Sequence, residues 1–306
     1  MPSKKLEAID RALLDAIKAR KAAEKEARLL EAHLARRGRM LGPLAGHDAR
    51  RSYTCFDGIG IIFSDAHFWP GEPSTAFRAL LKVAEAEKPN FVVANGDIID
   101  GARISRWPVS SFDDYEGRPT VTQELAVAQE RMRAIVAATP EADHFWTLGN
   151  HDARFETYIG EHAPEAIGVP GTRLKDHFPD WRPAWSVMVN ADTDPIMIKH
   201  RYRSGMYAPR NNVMNAQTHM ITGHLHSQKI MEQTGYKQTL YGVDAGSILA
   251  PYSPQVIHYT EDNPVDWRSG FVVIKIAGGT LRRPQLVTVI DEAHGIVEYL
   301  GEDISV

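Results

Sequence analysis

FVVANGDIID (residues 91–100) decides the fold. Four apolar residues suited to a buried strand run without a break into a turn that carries Asn95, Asp97 and Asp100. A short apolar run closed by a glycine-bearing turn is the pattern of a strand buried on both faces. Polar groups just past the end of such a strand stand where α/β folds place their ligand-binding loops. The same construction recurs in GIGIIFSDAH (58–67), DHFWTLGNHD (143–152), PIMIKH (195–200) and HMITGHLH (219–226). Each run ends in groups that bind metal or carry protons: Asp65 and His67, then Asn150, His151 and Asp152, then His200, then His224 and His226.

The five motifs, SDAH, NGDIID, GNHD, the lone His200 and GHLH, stand in the order that marks the calcineurin-like metallophosphoesterases, which the chain resembles, in particular the small prokaryotic or phage-type members. The likeness spans residues 65–226, about half of the chain by position. It implies a four-layer α/β/β/α sandwich, with two mixed sheets back to back between outer helices. It also implies a dinuclear metal centre. Asp97 bridges, Asp65, His67 and His226 complete one ion's shell, and Asn150, His200 and His224 complete the other's. His151 is the expected proton donor to the leaving group, with Asp152 orienting it. Asp100 is expected to orient its neighbours and not to bind metal. His200 is the least anchored of the ligands, and His219, placed in a helical stretch, is its alternative.

The chemistry explains the residue types. Phosphoester hydrolysis is so slow in water that a catalyst must remove a very large barrier. Two ions about 3.5–4 Å apart can clamp a phosphate and activate a water between them. A mixed set of carboxylate, imidazole and amide suits Mn, Fe, Zn or Ni, with Mn²⁺ the first expectation, and argues against an all-oxygen Mg or Ca site. The eight other histidines, His33, His47, His144, His162, His177, His219, His258 and His294, read as surface or hydrogen-bonded residues.

At 306 residues and 43% apolar, the chain can bury one large core with an appendage. A net charge of −4 carries no global basic signature. Cys55 is the single cysteine, which excludes a disulfide framework and fits a reducing cytoplasm. The opening MPSKKLEAID lacks a signal-type apolar core, and no run reaches the roughly 18 apolar residues of a membrane span.

Residues 1–40 read as an amphipathic helix, 41–50 as a linker, and 51–306 as the phosphoesterase domain. Residues 4–37 lack Gly and Pro and repeat Leu, Ile and Ala at heptad-type spacing. Such a stripe needs a partner surface, and a homodimer through this helix is the expectation. Eleven Lys/Arg against six Asp/Glu in residues 1–40 admit either a solvated face or a basic arm.

Beyond residue 51, helices are expected over 73–87 and 121–138, the first starting at Ser74 or Thr75. Basic residues follow the motifs: Arg154, Arg201, Arg203, and Arg210 with Asn211 and Asn212 in a loop. Phe68, Trp69, Trp107, Tyr202 and Tyr207 are interleaved with them. Read as substrate contacts, Arg154, Arg203 and Trp107 foremost, they suit a phosphate backbone with stackable bases, hence a phosphodiesterase or nuclease acting on DNA or RNA. They also read as ordinary loop residues. The alternatives are a phosphomonoesterase acting on a small molecule or protein, and a non-catalytic metal-binding scaffold.

Overall fold

Period-two alternation sorts the apolar runs into two packing faces, because successive strand side chains point to opposite sides. The computed structural model describes residues 46–106, 116–250 and 265–306, together with Arg20 and Val256. Strands β1 (Arg51–Tyr53), β2 (Gly58–Phe63), β3 (Phe91–Ala94), β4 (Asp143–Thr147) and β5 (Arg182–Ala184) lead the folded unit. They are followed by β6 (Val187–Val189), β7 (Ile196–Ile198), β8 (His219–Thr222), β9 (Lys229–Thr234) and β10 (Thr239–Asp244). The series ends with β11 (Gly270–Ala277), β12 (Thr280–Leu281), β13 (Gln285–Asp291), β14 (Ile296–Tyr299) and β15 (Glu302–Ser305).

The strands form two mixed sheets, one in the order β15-β14-β13-β11-β2-β3-β4-β5 with β12 paired to β11, the other β1-β6-β7-β8-β10-β9. Ile62, Phe91, Val93, Phe145 and Ile274 of the larger sheet meet Val189, Ile198, Ile221 and Val243 of the smaller in one buried cluster. The outer face of the larger sheet, with Ile61, Phe63, Val92 and Trp146, packs on helices α1 (Thr75–Glu87) and α2 (Val121–Ala138). Helix α3 (Asp152–His162) joins that layer through Phe155. Helix α4 (Ala208–Ala216) covers the other sheet, where Val213 packs on Met197, Met220 and Leu240. The result is the expected α/β/β/α sandwich.

Helix starts follow local chemistry. The Phe77 amide donates to Ser74 Oγ at 3.1 Å, so Ser74 is the cap of α1. Thr120 and Gln123 form a reciprocal capping box on α2. Two expectations fail. Arg210, Asn211 and Asn212 lie in α4 and not in a loop, because Pro209 sits in the first turn, where its missing N–H costs nothing. His219 opens strand β8 and is not helical.

The chain divides into two units, Met1–Gly46 and His47–Val306. The second begins four residues before the expected domain start, since His47 Nε2 lies 2.8 Å from buried Glu156 and the Trp185 amide donates to the Asp48 carbonyl. The helix expected over residues 4–37 and its apolar stripe lie outside the described residues, as does Trp107. Among the described residues no helix is long and apolar enough to cross a membrane.

Phe91 is fully buried between the sheets, its ring 5.0 Å from that of Tyr53. Phe91→Ala should lower unfolding free energy by about 3–5 kcal/mol in a denaturant titration. A loss below about 1 kcal/mol would mean that the sheets do not depend on this ring.

Candidate metal centre

Parallel pairing carries on beyond the strand ends and brings the motifs side by side. In the larger sheet Phe63 lies opposite Ala94, and past it the Asp65 amide donates to the Gly96 carbonyl and the His67 amide to Asp97. In the smaller sheet Ile198 lies opposite Ile221, and the Gly223 amide donates to the His200 carbonyl at 2.8 Å. The larger sheet thus supplies Asp65, His67, Asp97 and Asn150, and the smaller one His200, His224 and His226. A side chain on Gly223 would overlap Ser64 and Asp65, and one on Gly96 would overlap the His200 ring. These two glycines let the sheet ends meet.

Each carboxylate commits one oxygen to the protein and offers the other. Asp65 Oδ2 accepts from Ser64 Oγ and from the His224 amide at 2.8 Å. Its Oδ1 faces three imidazoles, with Nε2 of His226 at 3.0 Å, of His67 at 3.9 Å and of His200 at 4.0 Å. Asp97 Oδ1 accepts the His151 amide at 2.8 Å, and its Oδ2 lies 3.1 Å from His200 Nε2. Three clusters are close enough to hold an ion: Asp65 with His67 and His226, Asp97 with His67 and His151, and Asp97 with His200 and His224. Asp97 is common to two of them.

The residues fit a divalent metal. Asn150 Oδ1 is buried without a hydrogen-bond partner, and buried His200 Nε2 has only the close Asp97 carboxylate and no well-aligned hydrogen bond, which a protein rarely tolerates unless something else is to be bound. Asp65, His67, Asp97, His224 and His226 all take left-handed backbone angles, φ +52°, +39°, +55°, +74° and +56°. Such angles are uncommon outside glycine and collect at functional sites. His200 Nδ1 lies 2.8 Å from the Asn95 carbonyl, which leaves Nε2 for ligation. His219 cannot replace it. The Tyr241 amide donates to its Nδ1, its Nε2 lies 3.0 Å from Asp194, and both nitrogens are spent.

His151 lies within reach of the centre, Nε2 4.0 Å from Asp97 Oδ2. Asp100 holds its other nitrogen, with Oδ1 2.9 Å from His151 Nδ1 and 3.1 Å from His67 Nδ1. Arg154 donates to the Asp100 carbonyl at 2.8 Å, and its other terminal nitrogen lies 3.2 Å from His151 Nε2. The expectation that Asp152 orients His151 is therefore corrected. Asp152 points the other way, accepting the amides of Asp97, Ile98 and Gly149 and the Trp146 indole N–H. It shapes the turns that carry Asp97 and Asn150. Glu124 of α2 does the same beyond Asp100, accepting the amides of Gly101 at 2.6 Å and Ala102 at 3.0 Å. Nothing in the sequence marks Glu124, a polar residue inside a helix.

Of the expected substrate contacts, Arg154 is at the centre. Arg203 is turned to Asn215 at 3.1 Å and to the Tyr202 ring, and Arg210 to Gln233. A cleft of about 330 Å³, lined by Trp69, Arg103, Arg118 and Gln123 among others, opens where the segments after His67 and Asp100 run together.

A family model described as calcineurin-like phosphoesterase matches residues 61–234, more than half of the chain. The chain belongs to this family. Among curated proteins it is similar to the gene 54 protein of Mycobacterium phage D29, with 21% identity over 260 residues, 79% of this chain and 98% of that one. Among solved structures it is similar to a zinc complex of Vps29 from Entamoeba histolytica, with 15% identity, TM-score 0.41 and coverage of 80% and 98%. It is also similar to an archaeal phosphodiesterase, with 14% identity, TM-score 0.40 and coverage of 76% and 99%. A third is the nuclease MPE of Pseudomonas putida, with 10% identity, TM-score 0.32 and coverage of 72% and 85%. As a calcineurin-like phosphoesterase, the chain belongs among metal-dependent phosphoester hydrolases, and its Asp/His clusters are able to hold metal.

Electrostatics fix the protonation of the metal-free centre. Burial lowers the His200 pKa, but the charges of Asp97 and Asp65 outweigh it and push the group up to about 10. Burial raises Asp65, but His226 and His200 draw it down to about 2. The His200–Asp97 pair therefore stabilises the metal-free fold fully below pH 6.5 and is lost as pH rises through about 10. Asp65 contributes above pH 3.8 and is lost as pH falls through about 2.

Ligation requires His200 without its Nε2 proton, so metal loading near pH 7 should release about one proton from this group, and affinity should rise with pH. Calorimetry in buffers of different ionisation enthalpy measures the release. Heats that do not depend on the buffer would remove His200 from the ligand set.

Proposed function

We propose that the protein is a dinuclear phosphodiesterase with nucleic acid as its substrate class. One observation supports the dinuclear part: Asp97 lies in one cluster with His67 and His151 of the larger sheet and in another with His200 and His224 of the smaller, and His67 also belongs to the cluster of Asp65 and His226. Asp65, His67 and His226 would hold one ion and Asn150, His200 and His224 the other, with Asp97 available to both. When bound, the ions, Mn²⁺ first among them, supply Lewis-acid charge and a water of lowered pKa.

The protein's own groups do the remaining work. Asp97 and Asp65 are kept ionised and turned inward by the amides of His151 and His224. His151 supplies the proton that the leaving oxygen needs. Burial works against its charge, but the hydrogen bond to Asp100 and the charge of Asp97 raise its pKa above the ordinary 6.5. A histidine that keeps its proton to higher pH than usual is suited to general-acid work. Arg154, held by the Asp100 carbonyl beside the His151 ring, adds a fixed positive charge for a phosphate oxygen. Burial, then the charge of His200 and last that of Arg201, lower the His224 pKa. Cations on both flanks of the centre favour a diester embedded in a polyanion over a small monoester.

Outside the described residues, the same proposal gives residues 1–40 the role of a homodimer contact, which light scattering of full-length and truncated protein tests.

Mn²⁺-loaded protein should hold close to two ions per chain and cleave bis-p-nitrophenyl phosphate faster than p-nitrophenyl phosphate. It should also cleave DNA or RNA. Efficient monoester cleavage with polynucleotides left intact would replace this reading by the phosphomonoesterase one. Failure on every ester would favour a scaffold.

His151→Ala should keep its metals and lose roughly 10²–10⁴-fold in turnover with alkoxide leaving groups. The loss should shrink for nitrophenolate, which leaves without a proton. Metal lost from this variant would make His151 a ligand.

A further inference from the structure

The segment that continues past His200 has a character of its own. His200 is buried, and the next seven residues, Arg201 to Tyr207, are all exposed. Tyr202 is 45% exposed, Tyr207 60% and Met206 71%, a concentration of large apolar groups beside a metal centre. The surrounding charge is positive. Lys199 Nζ lies 5.5 Å and the Arg203 guanidinium 5.6 Å from the centre of the Tyr202 ring, and Arg201 lies between them in sequence.

The segment is also held in place. The Arg203 amide donates to Asn212 Oδ1 at 3.0 Å and its guanidinium to Asn215 Oδ1 at 3.1 Å, both residues of α4. The Ala208 amide donates to the Gly205 carbonyl at 2.9 Å. Asn212 Nδ2 in turn donates to Thr222 Oγ1, immediately before Gly223 and His224. One short helix therefore ties the exposed segment to a ligand-bearing turn, so little ordering cost is left for binding.

We propose that residues 199–207 form a docking platform for single-stranded nucleic acid, with Tyr202 and Tyr207 stacking on unpaired bases while Lys199 and Arg201 contact the backbone and lead a phosphodiester to the metal centre. Every base has a π-face, so stacking is tolerant of sequence, and cations beside the rings track the phosphates. Paired bases hide those faces inside the duplex, so the platform selects unpaired strands. Three cations within five residues fit a polyanion and not the interior of a protein interface, from which charge is depleted. The proposal rests on the diesterase reading for what happens to the strand, and on the platform alone for its binding.

The test uses full-length protein and a labelled oligothymidylate, followed by fluorescence anisotropy, with a duplex of equal length as competitor. Bis-p-nitrophenyl phosphate cleavage is measured in parallel. The single strand should bind more tightly than the duplex. Tyr202→Ala with Tyr207→Ala should weaken it by roughly 5- to 150-fold per ring lost. Tyr202→Phe with Tyr207→Phe should restore binding, because the stacking face is kept.

Wild-type protein that cleaves the small diester but binds the strand no better than the alanine variant overturns the platform and leaves the diesterase reading intact. Equal affinity for duplex and single strand overturns it as well. An alanine variant that loses small-diester cleavage as much as strand binding places the rings in the catalytic centre and also overturns it. Strand binding with the expected variant pattern, in a protein that cleaves no diester, supports the platform and removes the diesterase reading.

Discussion

The hydrogen bond from the His224 amide to Asp65 Oδ2 joins the end of one sheet to the end of the other at the base of the metal centre. Everything around it is arranged so that this contact can exist. Gly223 has no side chain to strike Ser64, His224 and Asp65 take left-handed backbone angles, and Ser247 Oγ donates to the Asp65 carbonyl. The apolar cluster between the sheets sets their separation and the bond sets their level, so the packing that stabilises the fold also spaces the ligands.

The centre is crowded with acid, and the crowding is uneven. Asp65, Asp97 and Asp100 face imidazoles and stay low against their burial. Asp152, Glu124 and Asp244 lie one step further out, without a matching cation. Burial pushes Asp152 up to about 6 and the other two to about 7, with help from the charges of Asp97, Asp100 and Asp65 respectively. The inner groups are prepared for positive charge. The outer ones hold backbone amides and carry the strain of supporting it.

The motifs were legible because metal chemistry demands particular residue types at strand ends, and the strands themselves were legible as short apolar runs closed by turns. What escaped the sequence depends on contacts through space. Asp152 stands next to His151 and invites a pairing, yet the first turn of α3 directs its carboxylate to the amides of Asp97 and Gly149. Asp100 was legible as an orienting group, but that it orients His151 was not, since the two meet only because two parallel strands end together. Asn211 and Asn212 read as a loop because asparagine is a weak helix former, and packing of Val213 on the sheet overrides that weakness. His219 looked helical beside them, but it forms a strand and spends both nitrogens locally.

The candidate ligands come from five segments spread between residues 65 and 226, and from both sheets. A nascent chain made only as far as β5 owns Asp65, His67, Asp97 and Asn150 but none of the three later histidines. On the dinuclear reading proposed above, capture of both ions would wait until the smaller sheet has packed on the larger, a non-local and therefore slow class of folding event. Affinities for divalent ions follow a fixed chemical order, so a site completed this late takes its metal from whatever the surrounding pool offers a finished protein. Growth conditions should then decide the metal content of a preparation as much as the ligand set does.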